Sequence, residues 1–99
     1  EGGGLAIDDD NKIVGVAVLS TIMNFHAKKA YLEDFVTDET IRGKGIGSQL
    51  WQAMLDWAKS HNCDELNFTS GYDREVAHNF YLRRGAKIYD TAFFRKPID

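Results

Sequence analysis

The sequence predicts an α/β (α+β) fold in which a mixed, mostly antiparallel sheet packs with two helices. Three observations carry this prediction. Short β-rich runs come first, the apolar period becomes helical near Gly45, and another β-rich run follows that helix. Because the chain has 99 residues with 43% hydrophobic content, enough for one compact core, we expect a single domain over residues 1–99.

The first half of the chain predicts three antiparallel strands. Residues 5–7 and 13–21 flank the polar turn 8–11, which is typical of a hairpin. After a strand end and loop over residues 22–29, residues 30–37 again have the composition of a strand.

A helix and a fourth strand follow. Apolar side chains recur at helical spacing from Gly45 until His61 and Asn62, namely Ile46, Leu50, Ala53, Met54, Trp57 and Ala58. Residues 65–69 alternate as a strand, and the intervening helix makes this strand a parallel neighbour of the previous one. A strand–helix–strand unit is therefore expected.

The last third predicts a second helix and a closing hairpin. Asp73 is a candidate N-cap for a helix that carries Val76, Ala77, Phe80 and Tyr81 and ends at Gly85, a residue suited to a left-handed C-cap. Residues 86–89 and 92–96 then predict two strands joined around residues 90–91.

Composition excludes several functions. A net charge of −3 provides no basic face for nucleic acid, and no apolar stretch is long enough to span a membrane. No leader resembles a signal peptide, so we expect a cytoplasmic protein. One cysteine, Cys63, and three scattered histidines offer no metal-ligand spacing, so no metal is expected.

A glycine-rich turn between the third strand and the first helix is the most informative motif: Arg42, Gly43, Lys44, Gly45, Ile46 and Gly47. Glycines let backbone N–H groups converge at a positive helix start, which predicts a phosphate or pyrophosphate site rather than a plain turn. The Walker pattern does not fit because Lys44 precedes Gly45, and the dinucleotide pattern would need glycine at Ser48.

The same residues resemble the GNAT superfamily of N-acetyltransferases. Residues 42–47 fit its R/Q-x-x-G-x-G/A pyrophosphate loop, residues 31–36 look like the strand before that loop, and residues 77–86 resemble the A-x-x-F-Y-x-x-x-G-F/A helix end. The resemblance covers residues 13–96. Residues 31–47 are most similar to polyamine acetyltransferases, whereas residues 70–81 are similar to small-molecule, aminoglycoside-type acetyltransferases.

This resemblance implies a fold and a reaction. The sheet would splay at its parallel strand pair, and the enzyme would transfer acetyl from acetyl-coenzyme A directly to a primary amine of a small molecule, without metal. The first strand and two helices usual in the family have no counterpart before Leu5. We therefore expect an N-terminally truncated domain that forms a homodimer or is completed by a missing N-terminal segment.

Catalytic candidates follow from the chemistry. An alkylammonium must lose a proton before it attacks a thioester, and Glu33 on the strand before the loop is the candidate base. If Leu32 faces the core, Glu33 faces away, and Asp34, the alternative base, points to the opposite side. A solvated strand glutamate stays open as the alternative for Glu33.

Tyr81 is assigned by the resemblance as the acid that protonates the departing thiolate; core packing is its alternative. Backbone N–H groups of Phe35 or Val36 are the expected oxyanion donors if their strand bulges or splays from its parallel neighbour. The coenzyme contacts expected are Phe35, Val36, Arg42, Gly43, Lys44, Gly45, Ile46, Gly47, Ser48 and Asn79. For Asn79, a solvated helix position stays open as the alternative.

Three arginines complete the sequence-based predictions. Many family members carry an Asn that contacts the pantetheine arm at the position where this chain has Arg74. Either this pantetheine contact is missing here, or Arg74 has another role. Arg83 and Arg84 fit a solvated helix end better than phosphate contacts. A module that binds acyl-coenzyme A without turnover is the rival function.

Overall fold

The computed structural model describes residues 2–9, 12–23, 27–37, 45–71 and 73–98. The chain divides into two compact units, Glu1–Phe68 and Thr69–Asp99. The first unit holds the sheet and one helix, and the second holds a shorter helix and the C-terminal segment.

A four-stranded sheet in the order β1-β2-β3-β4 forms the first unit. Strands β1 (Gly2–Asp9), β2 (Lys12–Met23) and β3 (Lys28–Thr37) pair antiparallel in sequence order. The predicted hairpin and third strand are confirmed, and each strand is longer than its sequence pattern indicated.

Helix α1 (Ile46–Ser60) follows the predicted period. Ile46, Leu50, Met54 and Ala58 recur every four residues and are buried, together with Trp51. The helix ends as predicted, because Asn62 adopts φ 59° and the Cys63 amide donates to the Ala58 carbonyl oxygen at 2.9 Å.

Helix α1 covers one face of the sheet. A β-carbon at Gly15 would lie 3.0 Å from Ile46 Cγ2, so this position faces the helix. Ala17, Leu19, Ala30 and Leu32 complete the buried sheet side of the core. The register explains why these residues lie on one face of the sheet: Leu19 pairs with Leu32, and alternate residues of one strand share a face.

Strand β4 (Glu65–Asn67) is parallel to β3, as predicted for a strand–helix–strand unit. The pairing covers Lys29 with Glu65, Ala30 with Leu66, and Tyr31 with Asn67. It stops there although β3 continues to Thr37, and this early end matches the expected divergence of the parallel pair.

Helix α2 (Glu75–Arg83) is the helix of the second unit. Its N-cap is Arg74 rather than Asp73, and no side chain caps it. The Arg74 amide donates to the Gly71 carbonyl oxygen at 3.1 Å, so Asp73 lies inside a turn and the helix begins one residue later than predicted. Gly85 has φ 90°, as expected of the predicted left-handed stop.

The predicted closing hairpin is wrong for the described residues, because residues 86–98 contain no strand. A strand needs backbone partners in a neighbouring strand, and the described part of the second unit contains none. The strand-like side chains Ile88, Tyr89, Phe93 and Phe94 are therefore exposed.

Gly3 gives the first testable prediction, because its substitution should disturb the helix–sheet contact. A β-carbon there would lie 2.7 Å from Trp57 Nε1, and the Trp57 indole is held by stacking on His61 at 4.0 Å between ring centroids. Gly3→Ala should lower the free energy of unfolding by about 1–3 kcal/mol.

Gly4→Ala is the matched control, because a β-carbon at Gly4 meets nothing within 4 Å. It should be neutral or stabilise by roughly 0.4–1 kcal/mol. Urea unfolding followed by circular dichroism measures both variants. Equal stability of the two would show that Gly3 is not needed for the approach of Trp57.

Candidate active site

Strand β3 contains one extra residue relative to β2. Val18 pairs with Asp34 and Leu19 pairs with Leu32, so Glu33 has no counterpart in β2. This is the arrangement of a β-bulge, which bends a strand and redirects the side chains around it. The bulge lies directly after Tyr31, where the parallel pairing with β4 ends.

The bulge corrects the prediction for Asp34. Strict alternation would place Glu33 and Asp34 on opposite faces of the sheet. Asp34 instead pairs with Val18, two residues before Ser20, and Ser20 contacts Glu33. Both carboxylates are exposed on the face opposite α1, whereas Leu32 is buried with 7% exposure.

Glu33 is held by a cross-strand hydrogen bond. The Ser20 hydroxyl donates to Glu33 Oε1 at an Oγ–Oε1 distance of 3.0 Å. Ser20 could not be identified from the sequence, because a serine on an alternating strand gives no signal until the register with the next strand is known.

The start of α1 has the geometry of an anion site. Gly45 is the N-cap in the left-handed conformation, with φ 69° and ψ 23°, and as a glycine it provides no side-chain cap. The first turn contains no acidic residue. Such a helix start presents backbone N–H groups and the positive end of the helix dipole, which suit a phosphate.

Tyr81 lies in α2, half-buried. Burial raises the pKa of its phenol above 10.0, and the positive charge of Arg74 partly offsets that rise. Tyr81 is therefore protonated at neutral pH and can donate a proton. Its backbone carbonyl oxygen also accepts from the Ala86 amide at 3.1 Å, which fixes the end of the helix.

Arg84 has a local structural role. Its guanidinium lies 3.6 Å from the centroid of the Phe80 ring, and its Nη1 donates to the Phe80 carbonyl oxygen at 3.1 Å. This agrees with the interpretation of Arg84 as a helix-end cation rather than a phosphate ligand.

The predicted site residues fall into three groups. Glu33, Phe35 and Val36 lie on β3, with Val36 exposed and Phe35 half-buried. Gly45, Ile46, Gly47 and Ser48 form the start of α1, where Ile46 is buried. Asn79 and Tyr81 lie on α2 in the second unit. The predicted ligands Arg42, Gly43 and Lys44 lie outside the described residues.

Comparison with known proteins decides the family. The family model described as Acetyltransferase (GNAT) family matches residues 1–86. The chain belongs to the GNAT acetyltransferase family. The strand, the glycine-rich turn and α1 with which the sequence resembles that superfamily all lie inside the matched region.

Two curated relatives and one solved structure show how much of the similar proteins this chain spans. It is 32% identical to the uncharacterised N-acetyltransferase YhdJ of Bacillus subtilis over 69% of this chain and 48% of the relative. It is 30% identical to N-alpha-acetyltransferase 30 of Schizosaccharomyces pombe over 90% of this chain and 59% of the relative. The integron cassette protein VCH_CASS6 of V. cholerae matches with a TM-score of 0.89 and 26% identity, over 97% of this chain and 61% of the other.

The chain therefore spans about half to three fifths of the length of these three proteins. Neither described helix combines the length and apolar character needed to cross a bilayer. Within the part of the chain that the structure describes, no group of three or more His, Cys, Asp or Glu residues is placed to hold a metal ion.

The ionisation of Tyr81 gives the second prediction. Because its pKa is higher in the folded chain than in the unfolded chain, folding favours the neutral phenol. The contribution of Tyr81 to stability is then complete below about pH 10, its unfolded value, and is lost as the pH rises through the folded pKa.

Ultraviolet titration of the phenolate tests this, with the curve of Tyr81→Phe subtracted from that of the parent. The difference should have its midpoint above pH 10.0. In parallel, the difference in unfolding free energy between parent and variant should be constant near neutral pH and shrink above about pH 10. A midpoint below that pH would contradict the burial of the phenol.

Proposed function

We propose that this GNAT domain transfers acetyl from acetyl-coenzyme A to a primary amine of a small molecule by direct attack. The observation that carries the proposal is the bulge in β3. It turns Glu33 and Asp34 to one face of the sheet just beyond the end of the parallel pair. A carboxylate pair attracts an ammonium group and supplies a base for it.

Deprotonation of the amine is the first requirement. An alkylammonium titrates near 10.4, so most of the acceptor reaches the enzyme charged and non-nucleophilic. Glu33 takes the proton directly or through one water, and the free electron pair on nitrogen then attacks the thioester carbonyl carbon. Asp34 on the same face adds negative charge that favours binding of the ammonium form.

Acetyl transfer then forms the N–C bond and breaks the C–S bond. The carbonyl oxygen carries negative charge in the tetrahedral intermediate and needs N–H donors. We assign this role to the backbone N–H of Phe35 or Val36, because successive residues of a strand direct their N–H groups to opposite edges. Their position after the bulge, where β3 has left its pairing with β4, supports this assignment.

The departing thiolate takes the phenolic proton of Tyr81 in this scheme. A phenol is neutral at neutral pH, and the burial that raises the pKa of Tyr81 keeps the proton in place until the basic thiolate takes it. Burial of the Tyr81 ring supports the assignment because a fully solvated phenol would be less fixed in direction.

Acetyl-coenzyme A, as co-substrate, would place its pyrophosphate at the start of α1. The left-handed Gly45 at the N-cap and the absence of acidic residues in the first turn fit that group. Arg42, Gly43 and Lys44 would contribute further donors, and Ile46, Gly47 and Ser48 the first helical amides. Asn79 is proposed as a contact from α2.

The acceptor class has a second candidate. The name of the S. pombe relative, N-alpha-acetyltransferase 30, specifies an α-amino nitrogen, and that relative aligns with 90% of this chain. A peptide with a free α-amine therefore belongs in the acceptor panel beside diamines and amino sugars.

The third prediction separates coenzyme binding from chemistry. Calorimetry should detect acetyl-coenzyme A binding by the parent, and release of free thiol should depend on an added amine. Gly45→Asp should weaken coenzyme affinity about tenfold or more, because a carboxylate at the helix start opposes the phosphates. Tyr81→Phe should retain affinity but slow transfer roughly 10²-fold or more.

Ser60→Asp is the control for charge, because it adds the same charge at the other end of α1 and should leave coenzyme affinity unchanged. Binding without thiol release for any amine would favour the rival, a non-catalytic acyl-coenzyme A module. If the parent binds no acetyl-coenzyme A at millimolar concentration, both the acetyltransferase and the non-catalytic acyl-coenzyme A module are ruled out.

We also propose that a homodimer completes this domain. Among the described residues β1 is an edge strand, and exposed edges pair readily with other chains. The first unit exposes several large apolar side chains, namely Ile13, Val18, Ile22, Met23 and Val36. Alternatively, a segment corresponding to the additional length of the relatives would cover these apolar side chains.

The fourth prediction is a dimer mass in sedimentation equilibrium at micromolar concentration. Ile22→Glu should raise the monomer fraction, because it places a charge on an exposed apolar position of β2. Ser60→Glu, on α1, should not. A parent that stays monomeric and acetylates amines at full rate would contradict the proposal.

A further inference from the structure

The hydrogen bond between Ser20 and Glu33 joins a residue with no assigned role to the candidate base. We propose that Ser20 is a positioning residue, which holds the Glu33 carboxylate in the direction from which it takes the proton of the amine. This inference rests on the proposed function, and its test includes a measurement that needs no activity.

Strand register makes the contact possible. Ser20 pairs with Tyr31, and Glu33 lies beyond Tyr31 on β3. Diagonal neighbours on one face of an antiparallel pair are about 7–8 Å apart, within reach of a long side chain. Glu33 therefore reaches back across the bulge to the Ser20 hydroxyl, at 3.0 Å.

Strand β2 is a firm anchor for this contact. Ser20 pairs with Gly2 on one side and with Tyr31 on the other, so its backbone is fixed by both neighbouring strands. Glu33 is exposed and has no register partner in β2. A free glutamate side chain populates many rotamers, and ordering it costs up to about 2 kcal/mol.

The chemistry assigns different tasks to the two carboxylate oxygens. A carboxylate accepts hydrogen bonds and a hydroxyl can donate one, so Ser20 donates and Glu33 Oε1 accepts. Oε2 remains available for the ammonium proton. Asp34 on the same face is also negative and repels Glu33. The Ser20 hydroxyl offsets this repulsion and keeps the base in place.

Three variants test the role of Ser20. Ser20→Ala should lower kcat about fivefold while leaving the KM for acetyl-coenzyme A unchanged. Ser20→Thr should restore kcat, because threonine keeps the hydroxyl and suits a strand. Ser60→Ala is the matched control, since the Ser60 hydroxyl donates to the Trp57 carbonyl oxygen at the end of α1.

Nuclear magnetic resonance of the Glu33 carboxyl carbon provides a readout without substrates. The signal should shift in Ser20→Ala, return toward the parent position in Ser20→Thr and stay unchanged in Ser60→Ala. If the parent transfers no acetyl group but the Glu33 signal follows this pattern, the proposed function is refuted while the hydrogen bond between Ser20 and Glu33 is confirmed. An unchanged Glu33 signal in Ser20→Ala, or a kcat that threonine fails to restore, would overturn the positioning role.

Discussion

The extra residue at Glu33 determines which side chains share each face of the sheet beyond it. Before the bulge, Leu32 faces α1 and completes the core; after it, Asp34 lies on the face opposite α1, although strict alternation would have turned it inward. One inserted residue thus lets β3 place Leu32 in the core and both carboxylates on the opposite face without interrupting the strand. The pairing with β4 ends at the same place, so the change of neighbours and the change of face coincide.

The periodic parts of the fold could be predicted from the sequence because period depends on local geometry. Leu50, Met54 and Ala58 identify α1 and its buried face, and Asn62 marks its end. Family motifs likewise located the glycine-rich turn at Gly45. These signals come from residues close in sequence, so no knowledge of register was needed.

The rest of the site depends on pairing between distant residues. Asp34 was predicted on the wrong face because the bulge is a property of β2 and β3 together. Ser20 gave no signal for the same reason, since its contact with Glu33 joins residues of two strands. The hairpin predicted within residues 86–98 had the right composition but no neighbouring strand among the described residues of its unit. A high strand propensity shows that the side chains suit a sheet, but a strand forms only where a neighbouring strand is present to pair with it.

The position of both tryptophans on α1 has a practical consequence for spectroscopy. Trp51 and Trp57 lie in the first unit, where Trp51 meets the edge of Phe68 and Trp57 stacks on His61. Intrinsic indole fluorescence therefore reports on the unfolding of the sheet–helix unit, because α2 contains no tryptophan. A fluorescence melting curve and a whole-chain melting curve will coincide only if the two units unfold together, so their comparison measures how tightly the units are coupled.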